Sequence, residues 1–146
     1  MIIGIFGENC VGKSTFAKKI SESINAQIYN GKDYLRLAKN EDIAKKLFMK
    51  QLQEAIAGDS IIYVISEKED LKLLPEGAIR ILVTADFEVI KTRFATRMHG
   101  KLPAPVEMML EKKHGCFDEE KYDIHYKSQE DDDTIVLNQI LEMNHT

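Results

Sequence analysis

The chain has 146 residues, 44% of them hydrophobic, with 20 Lys and Arg against 24 Asp and Glu and a net charge of -4. That length suits one core-forming domain spanning 1–146 and leaves little room for two. The acidic balance excludes a general electrostatic attraction to nucleic acid or to an anionic membrane, so any anion has to be met by a local site.

Ile2, Ile3, Gly4, Ile5 and Phe6 form a short apolar run, the pattern of a strand buried on both faces of a parallel sheet. From Ser14 onward Phe16, Ala17, Ile20 and Ile24 recur at helical spacing, which predicts a helix ending near Asn25. A short strand from Gln27 to Tyr29 runs into the turn-rich Asn30-Gly31-Lys32-Asp33. Asn40 then caps a longer helix whose stripe is Ile43, Ala44, Leu47, Phe48, Leu52, Ala55 and Ile56, with Gly58 as its stop. Ile61 to Ile65 reads as a central strand. After the charged stretch from Glu67 to Asp70 and a turn at Pro75-Glu76-Gly77, Ile79 to Val83 is the next strand. Asp86 opens a helix carrying Phe87, Val89, Ile90, Phe94 and Met98. Gly100 breaks it, and Pro103-Ala104-Pro105 starts another that Gly115 ends. In the tail, Tyr122 to Tyr126 and Thr134 to Leu137 read as strands separated by the acidic Glu130 to Asp133, before a short terminal helix. This alternation predicts an α/β fold of three layers, a parallel sheet of about five strands flanked by helices.

Cys10 and Cys116 stand far apart, outside any CxxC spacing, which suits reduced thiols better than a disulfide framework. The start, Met-Ile-Ile-Gly, lacks a basic n-region, and no apolar run approaches the roughly 20 residues that span a bilayer. A cytoplasmic protein without a membrane or nucleic-acid partner is expected; its oligomeric state stays open.

The chemistry concentrates in Gly7-Glu8-Asn9-Cys10-Val11-Gly12-Lys13-Ser14, which fits Gly-x-x-x-x-Gly-Lys-Ser between a buried strand and an amphipathic helix. That context makes it a P-loop. Glycines let successive backbone N–H groups curl around a phosphate, and the following helix adds its positive end. The expected nucleotide-binding set is Gly7, Glu8, Asn9, Cys10, Val11, Gly12, Lys13, Ser14 and Thr15. Lys13 reaches the outer phosphates of a nucleoside triphosphate, and the Ser14 hydroxyl ligates Mg²⁺.

With these residues in place, the chain resembles the small P-loop kinases that include adenylate, cytidylate and shikimate kinases. Three stretches carry the likeness: Gly7 to Thr15; Tyr29-Asn30-Gly31-Lys32-Asp33 behind the second strand; and Ile81 to Val89 continuing through Arg93 and Arg97. The resemblance implies transfer of the γ-phosphoryl of ATP with Mg²⁺ to a small acceptor, a nucleotide, nucleoside or other hydroxyl metabolite. It also implies a mobile lid, here about 98–105, an acceptor-binding segment at about 30–58, and base recognition near the tail, within 118–138. One departure stands out. Members often end the third strand with an aspartate, whereas Ile65 runs into Ser66-Glu67-Lys68-Glu69, leaving Glu67 as a candidate for that carboxylate.

Phosphoryl transfer needs positive groups around the equatorial oxygens and a group to orient the attacking atom. Of only four arginines, Arg93 and Arg97 are spaced i,i+4 on one helix face and, with Lys13, are assigned to developing charge. Asp33 is the expected base or hydrogen-bond acceptor for the incoming hydroxyl, with Lys32 and Arg36 gripping an anionic group of the acceptor. The bland alternatives are a solvated helix face for the arginines and a turn aspartate for Asp33. His114, Cys116, Asp118 and His125 lack a recognised metal spacing and read as packing. A second functional reading stays open, a kinase-like module that holds ATP without efficient transfer. A GTPase fits less well, because Asn30-Gly31-Lys32-Asp33 departs from Asn-Lys-x-Asp in order and in place.

Overall fold

The computed structural model describes residues 1–145, and these form β1 (Ile2–Phe6), α1 (Lys13–Ile24), β2 (Gln27–Asn30), α2 (Glu41–Ala55), β3 (Ile61–Ile65), β4 (Ile79–Thr84), α3 (Phe87–Arg97), α4 (Ala104–Lys113), β5 (Ile124–Lys127) and α5 (Asp133–His145). Single 3-10 turns occupy Asp33–Leu37 and Lys68–Leu73. The five strands make one sheet in the order β2-β3-β1-β4-β5, every pair parallel. No helix among the described residues is long and apolar enough to cross a membrane.

The pleat explains the two-sided core. In β1, Ile3 and Ile5 join one apolar cluster with Phe16, Ile20, Ile81, Val83, Ile90, Tyr126 and Ile140, while Ile2 and Phe6 join the opposite one with Tyr34, Phe48, Tyr63 and Phe117. A strand covered on both faces has to be apolar throughout, and all five β1 residues are buried. β5, at the edge, alternates instead: Ile124 and Tyr126 are buried and His125 and Lys127 exposed.

Because β1 lies between β3 and β4, the loop leaving it emerges at mid-sheet, at the point where the strand order reverses. Open parallel sheets carry their ligand crevice there.

Three sequence expectations need correction. Helix α1 begins at Lys13, one residue early, with Gly12 at its N-cap in the left-handed conformation. Residues 134–137 belong to α5 and form no strand: Asp132 Oδ1 accepts from Thr134 N at 2.8 Å, and Val136 and Ile140, four apart, bury themselves in the core. The β-branched content of Thr134, Ile135 and Val136 pointed the other way, and Ile135 is left 60% exposed. Finally, the stripe of α2 is narrower than its sequence suggests. Asn40 caps it, accepting from Ile43 N at 3.1 Å, but burial falls on Ala44, Phe48, Leu52 and Ala55, leaving Ile43, Leu47 and Ile56 exposed.

Phe48 holds α2 to the sheet. It is fully buried, with ring centroids 5.0 Å from Tyr29, 5.4 Å from Tyr34 and 4.9 Å from Tyr63. Phe48→Ala is expected to lower unfolding free energy by about 3–5 kcal/mol, measured by urea denaturation, because three aromatic neighbours cannot collapse into the vacated volume.

Candidate functional site

The turn after β1 closes on itself through Lys13. Its Nζ donates to Gly7 O at 2.7 Å and to Glu8 O at 2.5 Å, so the side chain at the start of α1 curls back under the loop. Burial pushes the ammonium down to about 8, with the nearby Cys10 and Glu8 groups acting against that fall and Arg97 adding to it. Two glycines make the curl possible. A Cβ on Gly7 would fall on the Val83 carbonyl oxygen, and Gly12 holds φ 103 with Ser128 Cβ 3.3 Å from where its own Cβ would lie. Cys10 also takes a left-handed conformation, φ 66. The N–H groups of the first turn of α1 have no side-chain cap, which leaves them for an anion.

Two recesses flank this turn. One, about 290 Å³, is lined by Asn9, Lys13, Ser14 and Thr15 together with Asn30, Ser66 and Arg97. The other, about 520 Å³, opens between α1, α3 and the loop after β5, where Thr15, Phe16, Thr96, Tyr126 and Ser128 form its walls. Arg93 Nη1 spans the second, donating to Cys10 O and to Ser128 Oγ at 3.1 Å each. Arg97, one turn further along α3, borders both recesses. Both arginines of the i,i+4 pair thus lie beside the loop, and the segment 126–128 contributes Tyr126 and Ser128.

Other predicted residues lie elsewhere. Val11 is fully buried and Gly7 pairs with the sheet, Gly7 N donating to Ile65 O at 3.2 Å, so both shape the loop from behind. Glu8 turns its carboxylate away from the recesses: Oε1 lies 3.0 Å from His114 Nδ1 and Oε2 accepts from Gly115 N at 3.1 Å. Asp33 is absent from the recess walls; its Oδ2 accepts from Asn30 N at 2.9 Å, a turn-forming contact. Arg36 Nε donates to Asp33 O at 3.1 Å, and its guanidinium lies 6.0 Å from the Tyr29 ring centroid. Glu67 is exposed, and Ser66 takes the place at the recess.

The sequence reading missed Asn9's neighbours across the gap, Asn30, the last residue of β2, and Ser66, just past the end of the adjacent β3. It also missed Asp70, 3% exposed, whose Oδ1 accepts from Lys32 Nζ at 3.0 Å while Glu69 takes the same ammonium. These bonds lift the Lys32 ammonium's pKa and clasp the loop behind β2 to the turn behind β3. Tyr63 adds a hydroxyl donated to Gly31 O at 2.7 Å. Among the described residues no group of three or more His, Cys, Asp and Glu side chains could hold a metal ion. His114 binds Glu8 as above, and His125 Nε2 lies 2.7 Å from Thr84 Oγ1.

No protein-family model matches the chain, and no curated protein sequence matches it. Solved structures do resemble it. An uncharacterized protein from Eubacterium ventriosum superposes with a TM-score of 0.67 at 21% identity, covering 100% of this chain and 99% of that one. Shikimate kinase from Aquifex aeolicus gives 0.56 at 21%, over 98% and 95%. The YorR protein from Bacillus subtilis, in complex with phosphorylated GDP, gives 0.62 at 21%, over 98% and 95%. The chain has the fold of the small P-loop kinases.

The Glu8 carboxylate joins the loop after β1 to the end of α4, and Lys91 joins α3 to α4 through Glu107 at 3.2 Å. The segment between those helices, 98–103, is therefore anchored at both ends. Glu8→Ala is expected to cost about 2 kcal/mol in urea denaturation, the loss of charge-assisted bonds in a buried setting, and to speed amide exchange at Gly115.

Proposed function

We propose that this chain transfers the γ-phosphoryl group of Mg-ATP to a small-molecule acceptor. The observation that carries this reading is the recess where the buried Lys13 ammonium, the uncapped start of α1 and Arg97 meet at the centre of the sheet. Such a place offers a polyphosphate N–H donors and fixed positive charge with little reorganisation. The larger recess behind Gly12, walled by Phe16, Tyr126 and Ser128, suits the base and ribose. The smaller one leads toward Asn30, Ser66 and the segment 30–58, and receives the acceptor. A shikimate kinase and a protein holding phosphorylated GDP have similar folds and support the reading.

The donor set fits Mg²⁺ carried in with the triphosphate. The Ser14 hydroxyl is a hard oxygen ligand, and Mg²⁺ commonly keeps several waters and takes the rest from phosphate. When bound, the ion neutralises charge on the β- and γ-oxygens. Lys13 and Arg97 stabilise charge on the transferring group, and Arg93 leaves Cys10 O and Ser128 Oγ to face the nucleotide. The segment 98–105 closes over the site and excludes water.

A second reading has an observation of its own. The wall opposite Lys13 offers Asn30 and Ser66 where a carboxylate was expected, which suits a module that holds ATP without turning it over.

Purified chain given magnesium ATP and a panel of small acceptors should form ADP in an acceptor-dependent way, and Lys13→Ala should lower kcat/KM by at least about 100-fold. ATP binding without turnover on any acceptor selects the second reading; absence of magnesium-dependent triphosphate binding removes both. A pH effect follows from the depressed lysine. Below about 8 the free site keeps its ammonium, and above that it loses the proton. Bound triphosphate favours the charged form, so affinity should fall as pH rises past that value, and binding should take up protons there. Calorimetry in buffers of different ionisation enthalpy measures that uptake.

A further inference from the structure

On the face of the sheet opposite α1 and α5, one corner is left open. Leu82 pairs with Phe6 of β1 and with His125 of β5, Thr84 pairs with Lys127, and Glu8 follows Phe6 by two residues, so all of them share that face. Phe117 fills it beside β1, its ring 5.7 Å from that of Phe6, but β5 carries His125 and Lys127 there and the apolar cluster stops at Leu82. What remains is a recess of about 340 Å³, closed by His114 at the end of α4 and by Asp118 and Tyr122 beyond it. That volume suits a small molecule. The recess shares no lining residue with the two that flank the turn after β1.

Its charges are of both signs and stand unpaired. Asp86, Asp118 and Lys127 line it, and none of the three has an ion pair with any described residue. Each is anchored by its own backbone instead: Asp86 N donates to Gln129 Oε1 at 2.8 Å, Asp118 N to Gly115 O at 3.1 Å and Lys127 N to Asp131 Oδ2 at 2.7 Å. Opposite charges are thus held in one recess and apart. A ligand of one sign meets repulsion as well as attraction there, whereas a molecule carrying both signs satisfies both and finds them already in place. Between the charges the walls are flat and partly apolar. Leu82 is buried, the Tyr122 and His125 ring centroids lie 5.5 Å apart, and Thr84 Oγ1, 2.7 Å from His125 Nε2, fixes that imidazole as Glu8 fixes His114.

We propose that this recess binds a small zwitterion, an α-amino acid with an apolar side chain. The ligand's ammonium is taken by the Asp86 and Asp118 carboxylates, its carboxylate by Lys127, and its side chain lies against Leu82 and the Tyr122 ring. Two carboxylates to one ammonium set the selectivity: a dicarboxylate or a phosphate ester is repelled, and a plain amine leaves Lys127 unmet. The site needs no triphosphate, so its failure and that of the phosphotransfer reading are separate results.

Leucine and phenylalanine titrated into the full ¹⁵N-labelled chain should shift the amide resonances of Asp86, Asp118 and Lys127, and at least one should saturate with a Kd below about 1 mM. N-acetylleucine, without the ammonium, and leucine amide, without the carboxylate, should each bind at least about tenfold more weakly, the scale of one hydrogen bond between charged groups. Asp86→Asn, Asp118→Asn and Lys127→Gln alter exposed side chains, so the urea midpoint should hold while affinity for the amino acid falls by about the same factor. A Kd above about 1 mM for both amino acids overturns the proposal, as does equal binding by either derivative or affinity retained in all three variants. Shifts centred on Asn9, Ser14 and Ser66 would put the amino acid in the Lys13 recess and overturn it as well.

Discussion

A buried lysine ammonium tied to two carbonyls of its own loop is the constraint on which this site depends. Taking the charge out of water is costly, and neutral carbonyl oxygens return only part of what hydration gave. The depressed Lys13 pKa records that shortfall. Nothing in the free loop supplies a full negative charge, since the one carboxylate within it, Glu8, faces the other way. The remainder is what an anion at the start of α1 relieves. The loop is thus shaped before any ligand arrives, by Gly7 against Val83 and by Gly12 against Ser128, and its unmet electrostatics select what enters.

Strand order turns this local device into a site with two sides. Placing β1 between β3 and β4 sets the loop below the ends of four strands, so β2 and β3 present Asn30 and Ser66 on one flank while α3 and the segment after β5 present Arg93 and Ser128 on the other. Arg93 ties the loop to Ser128, and Glu8 ties it to the end of α4. The same residues that shape the loop therefore connect it to the helices on either side of the segment 98–103.

How much of this was legible in the sequence varies with the range of the interaction. The loop motif, the apolar β1 run and the Asn40 cap are local, each specified within a few residues, and each is found where the pattern put it. Thr134 to Leu137 went wrong because β-branched residues favour strands only until a cap and a core contact at i,i+4 outweigh them. The partners of Glu8 lie more than one hundred positions away. Nothing in Gly-Glu-Asn-Cys announces which direction that carboxylate takes, and the motif itself suggested the phosphates.

The carboxylate sought after β3 shows how a pleat overrules a tally. Residues leaving a parallel strand alternate in direction, so of two successive positions only one can face the loop beside it. Ser66 is that residue, and Glu67, one step on, begins the chain's departure into the 3-10 turn. Counting acidic residues along Ser66-Glu67-Lys68-Glu69-Asp70 suggests an abundance of candidates, yet Glu69 and Asp70 close on Lys32 and brace the loop behind β2. The negative charge is spent on holding two loops together, and the surface those loops present to Lys13 is left neutral and donor-rich. A site's charge is set by which side chains the backbone turns inward, and here the inward set holds Lys13 and Arg97 and, among the described lining residues, no carboxylate.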